Sequence, residues 1–168
     1  YMQWREGPGL LGRESSALEQ PMNTFISLFP KTTYYFETEF TYLGTETVEE
    51  MLLEHFTDDS AVIYLNGVEV ARYNISADPL LPSSPADQAI GNAVVQTLTI
   101  AEPNVVVGSN RLSVEVHQNA PGSNDLVWGS RVILRTSDGT GIPPTSYAER
   151  DEEWIELLNR GGSSVDLS

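Results

Sequence analysis

The sequence predicts an all-β chain: an antiparallel jelly-roll β-sandwich with a β-hairpin fragment at its C-terminal end. Three observations predict it. Residues 33–42 set Tyr34, Phe36, Phe40 and Tyr42 on one phase and Glu37, Glu39 and Thr41 on the other. That period of two makes a half-buried strand, and a helix would mix the two faces. Asn66-Gly67 stands between the apolar run 61–65 and the alternating run 68–75; this dipeptide tolerates the positive φ angles of a two-residue hairpin turn. From residue 32 onward, short strand-like runs are separated by Gly, Pro, Asn and Ser clusters, the punctuation of a sandwich.

Each element follows in order. Residues 48–56 combine helix formers with no clean alternation and are read as a strand. Residues 60–75 form the hairpin. Further strands are expected at 93–100, at 111–118 and at 125–136. In the second of these, Leu112, Val114 and Val116 alternate with Ser113, Glu115 and His117, which places His117 on the outward phase. No period of roughly 20–50 residues recurs, so a solenoid or propeller is not supported. Gly and Pro break the pattern after Ser137, which divides the chain into a sandwich (1–136), a linker (137–150) and a C-terminal fragment (151–168). The fragment reads as one hairpin carrying Trp154, Ile155 and Leu157. A lone hairpin cannot bury such a face, so it is expected to dock on the sandwich or to open a further β domain.

Composition narrows the partners. The formal net charge is −15, which repels polyanions and excludes nucleic acid as an expected ligand. With 40% apolar and 20% charged residues, the acidity reflects few basic groups and not a disordered acidic tail, so the chain is expected to fold. No run approaches the roughly 18 apolar residues that span a bilayer, so no membrane insertion is expected. Without cysteine, disulfides and thiolate metal sites are excluded.

If successive strands run antiparallel, their connections fall alternately at the two ends of the sandwich. Loops 57–60, 76–92 and 119–125 are then expected at one pole; 44–47 and 101–110 share the other with the Asn66-Gly67 turn. The first pole gathers Asp58, Asp59, Asp78, Asp87, Asn119, Asn124 and Asp125. These are hard oxygen ligands of the kind of which calcium takes roughly six to eight. Asp58 and Asp59 are therefore candidate ligands of calcium, and Asn119, Asn124 and Asp125 candidate ligand-binding residues. Trp128 beside them is a candidate platform for the apolar face of a sugar ring. Competing readings have Asp58 capping a turn with Asp59 solvated, and Trp128, at strand spacing from Leu126, pointing into the core. His55 with Asp58 and Asp59 supplies three ligands from one loop, short of a closed transition-metal site, and ordinary hydrogen bonding is expected of it. No serine-base-acid arrangement is identifiable around His117, and nothing singles out two of the many glutamates as a glycosidase pair. The chain is expected to be non-catalytic.

Several segments resemble the galactose-binding-like jelly-roll module of large exported bacterial proteins. They are Tyr34-Tyr-Phe-Glu-Thr-Glu-Phe40, Thr57-Asp-Asp-Ser-Ala-Val-Ile-Tyr-Leu-Asn-Gly-Val-Glu-Val-Ala-Arg72, Gly108-Ser-Asn-Arg-Leu-Ser-Val-Glu-Val-His-Gln118 and Asp125-Leu-Val127. They cover residues 30–136 in the family's order; Glu37 and Ser60 depart from its commoner basic residue and glycine. Trp4 and residues 7–12 are similar to its first strand and loop. Residues 152–159 and 165–168 resemble the opening of a lamin-tail-type immunoglobulin-like domain. Asp58-Asp59 ahead of the hairpin resembles the paired aspartates of protective-antigen-type sugar-binding domains, where the pair holds calcium and a sugar. These resemblances imply a carbohydrate-binding or adhesion module of a larger secreted or surface protein, one that can accompany a hydrolase. Its partners would be a polysaccharide, a cell-surface glycan or neighbouring domains. The alternative they leave open is a structural spacer with no ligand of its own.

Overall fold

The computed structural model describes residues 5–28, 30–137, 141–142 and 154–157. Its strands are β1 (Arg5–Gly7), β2 (Leu11–Arg13), β3 (Thr24–Phe25), β4 (Thr33–Tyr42), β5 (Val48–Asp58) and β6 (Ser60–Leu65). They continue with β7 (Val68–Tyr73), β8 (Gln96–Ala101), β9 (Gly108–His117), β10 (Leu126–Thr136), β11 (Gly141–Ile142) and β12 (Trp154–Leu157). Among the described residues there is no helix. One sheet runs β1-β12-β4-β9-β6-β7 and the other β3-β2-β10-β5-β8, with β11 against β10. Every pairing is antiparallel except β2 with β3. The chain is the two-layer all-β sandwich that its alternation predicts.

The alternation builds the core directly. Tyr34 and Phe36 of β4, Ile63 and Leu65 of β6, and Leu112, Val114 and Val116 of β9 come from the first sheet. Met51 and Leu53 of β5 and Leu126, Trp128, Val132 and Leu134 of β10 come from the second, and all are buried in one cluster. Each such side chain contributes about 1.5–3 kcal/mol on leaving water. Strand β5 forms despite its helix-forming residues because it is paired on both sides, with β10 and with β8. Tertiary pairing outweighs a propensity difference of a few tenths of a kcal/mol per residue.

The hairpin turn is as expected. Asn66 (φ 52°) and Gly67 (φ 79°) are both left-handed, the conformation that lets a two-residue turn follow the strand twist. Asn66 Nδ2 donates to the Asn104 carbonyl and Asn104 Nδ2 to the Leu65 carbonyl, which draws loop 101–110 to this pole. At the opposite pole the Ala86 amide donates to the Gln118 carbonyl, and the Asp87 amide to the Asn74 carbonyl. The two-pole distribution of loops therefore holds.

The strand expected at 93–100 begins at Gln96. Gly141 and Ile142 pair with Arg135 and Leu134 of β10. Backbone pairing places β12 between β1 and β4, with Glu156 opposite Arg5 and Phe36, so these four residues extend the first sheet. The remainder of the expected C-terminal hairpin, 158–168, and most of the stretch read as a linker lie outside the described residues, as does Trp4.

Candidate cation and ligand site

Strand register assembles the site. At its first residue, Leu126, strand β10 lies opposite Arg13, the last residue of β2; one residue on, Val127 lies opposite Asp58, the last residue of β5. Side chains at or just beyond these three strand ends must converge, and they are Glu14, Asp58 and Asp125. One carboxylate oxygen from each lies within 4.8 Å of the other two. Asp58 is 0% exposed, and neither of its oxygens has a hydrogen-bond partner. Glu14 Oε1 accepts the Ser15 and Ser16 amides at 2.6 and 2.7 Å, while its Oε2 is buried without a partner. Asp125 Oδ1 accepts the Ser123 hydroxyl at 2.6 Å. Gln118 Nε2 donates to the Asp125 carbonyl at 2.5 Å, leaving Gln118 Oε1 buried and unpartnered at the same pole.

Buried oxygens without partners are rare in folded proteins because each forfeits its hydration for nothing. Burial pushes the Asp58 carboxyl up to about 9, and the neighbouring carboxyls of Asp59, Asp125 and Glu14 act in the same direction. The cluster therefore resists ionising alone. A divalent cation reverses that balance, since it supplies the missing partner for each oxygen and favours the charged form. Hard carboxylate oxygens with no nitrogen or sulfur among them suit calcium, with further positions open to water or to hydroxyls.

The two adjacent aspartates have different tasks. Asp59 is not in the cluster, because both its oxygens are taken: Oδ1 accepts the Ile90 amide at 2.6 Å and Oδ2 the Asn119 amide at 2.7 Å. It ties loops 76–92 and 119–125 to the end of β5. Its backbone carbonyl also accepts from Asn74 Nδ2. Glu14 stands in the place that Asp59 was expected to fill. No local pattern marks Glu14, whose position follows from the long-range pairing of β2 with β10.

Asn119 and Asn124 are exposed on the loop that carries Asp125, and Asn119 Nδ2 donates to the Ala86 carbonyl at 3.1 Å. Trp128 is not a platform. It is 0% exposed, with its ring centroid 6.3 Å from that of Phe36 and 6.2 Å from that of His55. Its strand phase, shared with Leu126, turns it into the core. His55 is on the same inner face, with Nδ1 2.7 Å from Thr57 Oγ1 and its ring edge-on to Tyr73. Burial holds its pKa down to about 4, so the ring is neutral at physiological pH, and it takes no part in the carboxylate cluster. Asp87 Oδ1 accepts the Ser76 hydroxyl and amide, and Asp78 is exposed.

His117 corrects one expectation. Its phase is outward, as read from the sequence, yet it is 0% exposed because loop 76–92 folds over that end of the sheet. Nδ1 lies 2.8 Å from the Ser84 carbonyl and Nε2 3.1 Å from Glu115 Oε2. Both neighbours are acceptors, so the ring acts as a clamp on the loop.

Among the described residues no helix is long and apolar enough to cross a membrane. No family model matches the chain, and no curated protein matches it. Among solved structures it is similar to the Streptomyces avermitilis α-L-rhamnosidase complexed with L-rhamnose (17% identity, TM-score 0.46), over 79% of this chain and 11% of that one. It is also similar to a PA14 sugar-binding domain from an RTX adhesin (16% identity, TM-score 0.32), over 73% of this chain and 52% of that one. The chain thus spans about a tenth of the rhamnosidase and about half of the adhesin chain.

Proposed function

We propose that this chain is a non-catalytic carbohydrate-binding or adhesion module of a larger secreted or surface protein, and that its acidic pole recognises glycans through bound calcium. The observation that carries the reading is Asp58: a fully buried carboxylate with two unpartnered oxygens, held beside Asp125 and Glu14. Asp58, Asp125 and Glu14 would supply the protein oxygens. Vicinal hydroxyls of a sugar would complete the coordination shell, with the exposed Asn119 and Asn124 at the rim to fix its orientation. The ion would hold the charge that Asp58 cannot carry alone. The acidic surface outside the pole favours neutral glycans over acidic ones.

The test is binding of the intact chain to an array of neutral glycans with calcium and with EDTA. Binding that requires calcium and is lost in Asp125→Ala supports the reading. Calcium binding without any glycan retention would reduce the ion to a structural role and favour the spacer alternative.

A further inference from the structure

The outer face of the second sheet carries a second feature that the acidic pole does not use. Along β5 the outward residues after Asp58, taken toward the N-terminus, are Phe56 and Glu54; along β10 they are Gly129 and Arg131. The segment between β2 and β3 folds over this face, since the Asn23 and Thr24 amides both donate to the Leu10 carbonyl and Asn23 Nδ2 donates to the Gly9 carbonyl. Between that segment and the strands lies a cleft of about 550 Å³ lined by Phe56, Glu54, Arg131, Gln20 and Asn23, among others. It shares no residue with the carboxylate cluster.

We infer that this cleft is a second glycan subsite, one that takes a neutral pyranose ring and needs no cation. Its volume falls in the range of small-ligand sites, roughly 300–1,000 Å³. Phe56 is half-buried, packs on the cluster of Leu10, Ala93 and Val127 and also lines the cleft, and an aromatic side chain in that position suits the apolar face of a sugar. Arg131 engages Glu54 through Nε at 2.9 Å and Nη2 at 2.6 Å. Both contacts fall on the same oxygen, Oε2, so Oε1 keeps acceptor capacity and the guanidinium keeps donors. A guanidinium and a carboxylate side by side offer a donor and an acceptor to adjacent hydroxyls with no net charge. Gln20 and Asn23 add amide groups across the cleft, both on exposed residues. A net charge of −15 over the whole chain disfavours uronic or sialic acids, and the ion-paired arginine offers no free positive charge to attract them.

This inference rests on the carbohydrate reading and is separable from it. The experiment uses the isotope-labelled intact chain in EDTA, titrated with cellohexaose, xylohexaose and mannohexaose and followed by amide chemical shifts. The expected result is a titration centred on Gln20, Asn23, Phe56 and Arg131, with affinity reduced about tenfold in Arg131→Ala, the loss of one or two hydrogen bonds to a charged group. Arg131 is exposed on the surface, so that variant keeps the fold, and Gln20→Ala is a second check. Glycan binding that appears only with calcium and is unchanged in Arg131→Ala overturns the cleft and leaves the acidic pole standing. No glycan binding with or without calcium overturns both.

Discussion

Asp58→Asn is expected to make the metal-free fold more stable at pH 8 while it weakens calcium binding. In the folded chain the Asp58 carboxyl is held up to about 9, first by burial and then by Asp59, Asp125 and Glu14. At pH 8 the folded state must therefore keep a proton that the unfolded chain has released. Asparagine has the same shape and no charge to neutralise. It still buries an amide without a partner, which takes back part of the gain, so the net stabilisation in EDTA is about 1–2 kcal/mol. Calcium affinity depends on the number of anionic ligands, and the loss of one of three carboxylates is expected to weaken it about a hundredfold. Denaturant unfolding in EDTA and in calcium measures both effects. A variant that is less stable than wild type in EDTA, with calcium binding unchanged, would show that Asp58 is a structural residue.

Asp59→Ala is expected to do the opposite, costing about 3–5 kcal/mol in EDTA. Asp59 accepts the Ile90 and Asn119 amides on separate oxygens. Charge-assisted bonds of this kind contribute about 1.5–3 kcal/mol each, and their removal leaves two backbone donors orphaned. Loops 76–92 and 119–125 lose their common anchor, so urea unfolding should shift to lower concentration before any ion is added. Unchanged stability in EDTA combined with abolished calcium binding would make Asp59 a ligand after all. The two neighbouring aspartates thus separate by the sign of their effect on the metal-free protein.

Much of this was legible in the sequence because strand phase is a local property. The alternation of Tyr34 and Phe36, and of Leu112, Val114 and Val116, predicts the inner face. Asn66-Gly67 predicts the turn and, through antiparallel succession, which loops share a pole. That pole does collect Asp58, Asp59, Asn119 and Asp125. Glu14 was not legible, because it reaches Asp58 only through the register of β2 on β10, and three-residue strands carry no pattern. The division of labour between Asp58 and Asp59 was hidden for a similar reason, since it depends on where the Ile90 and Asn119 amides arrive. His117 shows the limit of phase: alternation fixes the face a side chain leaves from, and loop 76–92 decides whether that face meets water. The burial of Trp128 follows the same phase that places Leu126 in the core.

The most direct measurement of the central claim is the stability of the wild-type chain from pH 5 to pH 9, in EDTA and in saturating calcium. An acid whose folded pKa lies above its unfolded value binds a proton on folding, so its stabilising contribution is full below the unfolded pKa near 3.8 and fades as pH rises through about 9. In EDTA stability should therefore fall with pH, by up to about 1.4 kcal/mol per unit from this group. Calcium at a hundred times its dissociation constant should add about 2.7 kcal/mol at pH 8 and flatten the slope. Identical profiles with and without calcium, with no rise in melting temperature at pH 8, would contradict a cation site at Glu14, Asp58 and Asp125.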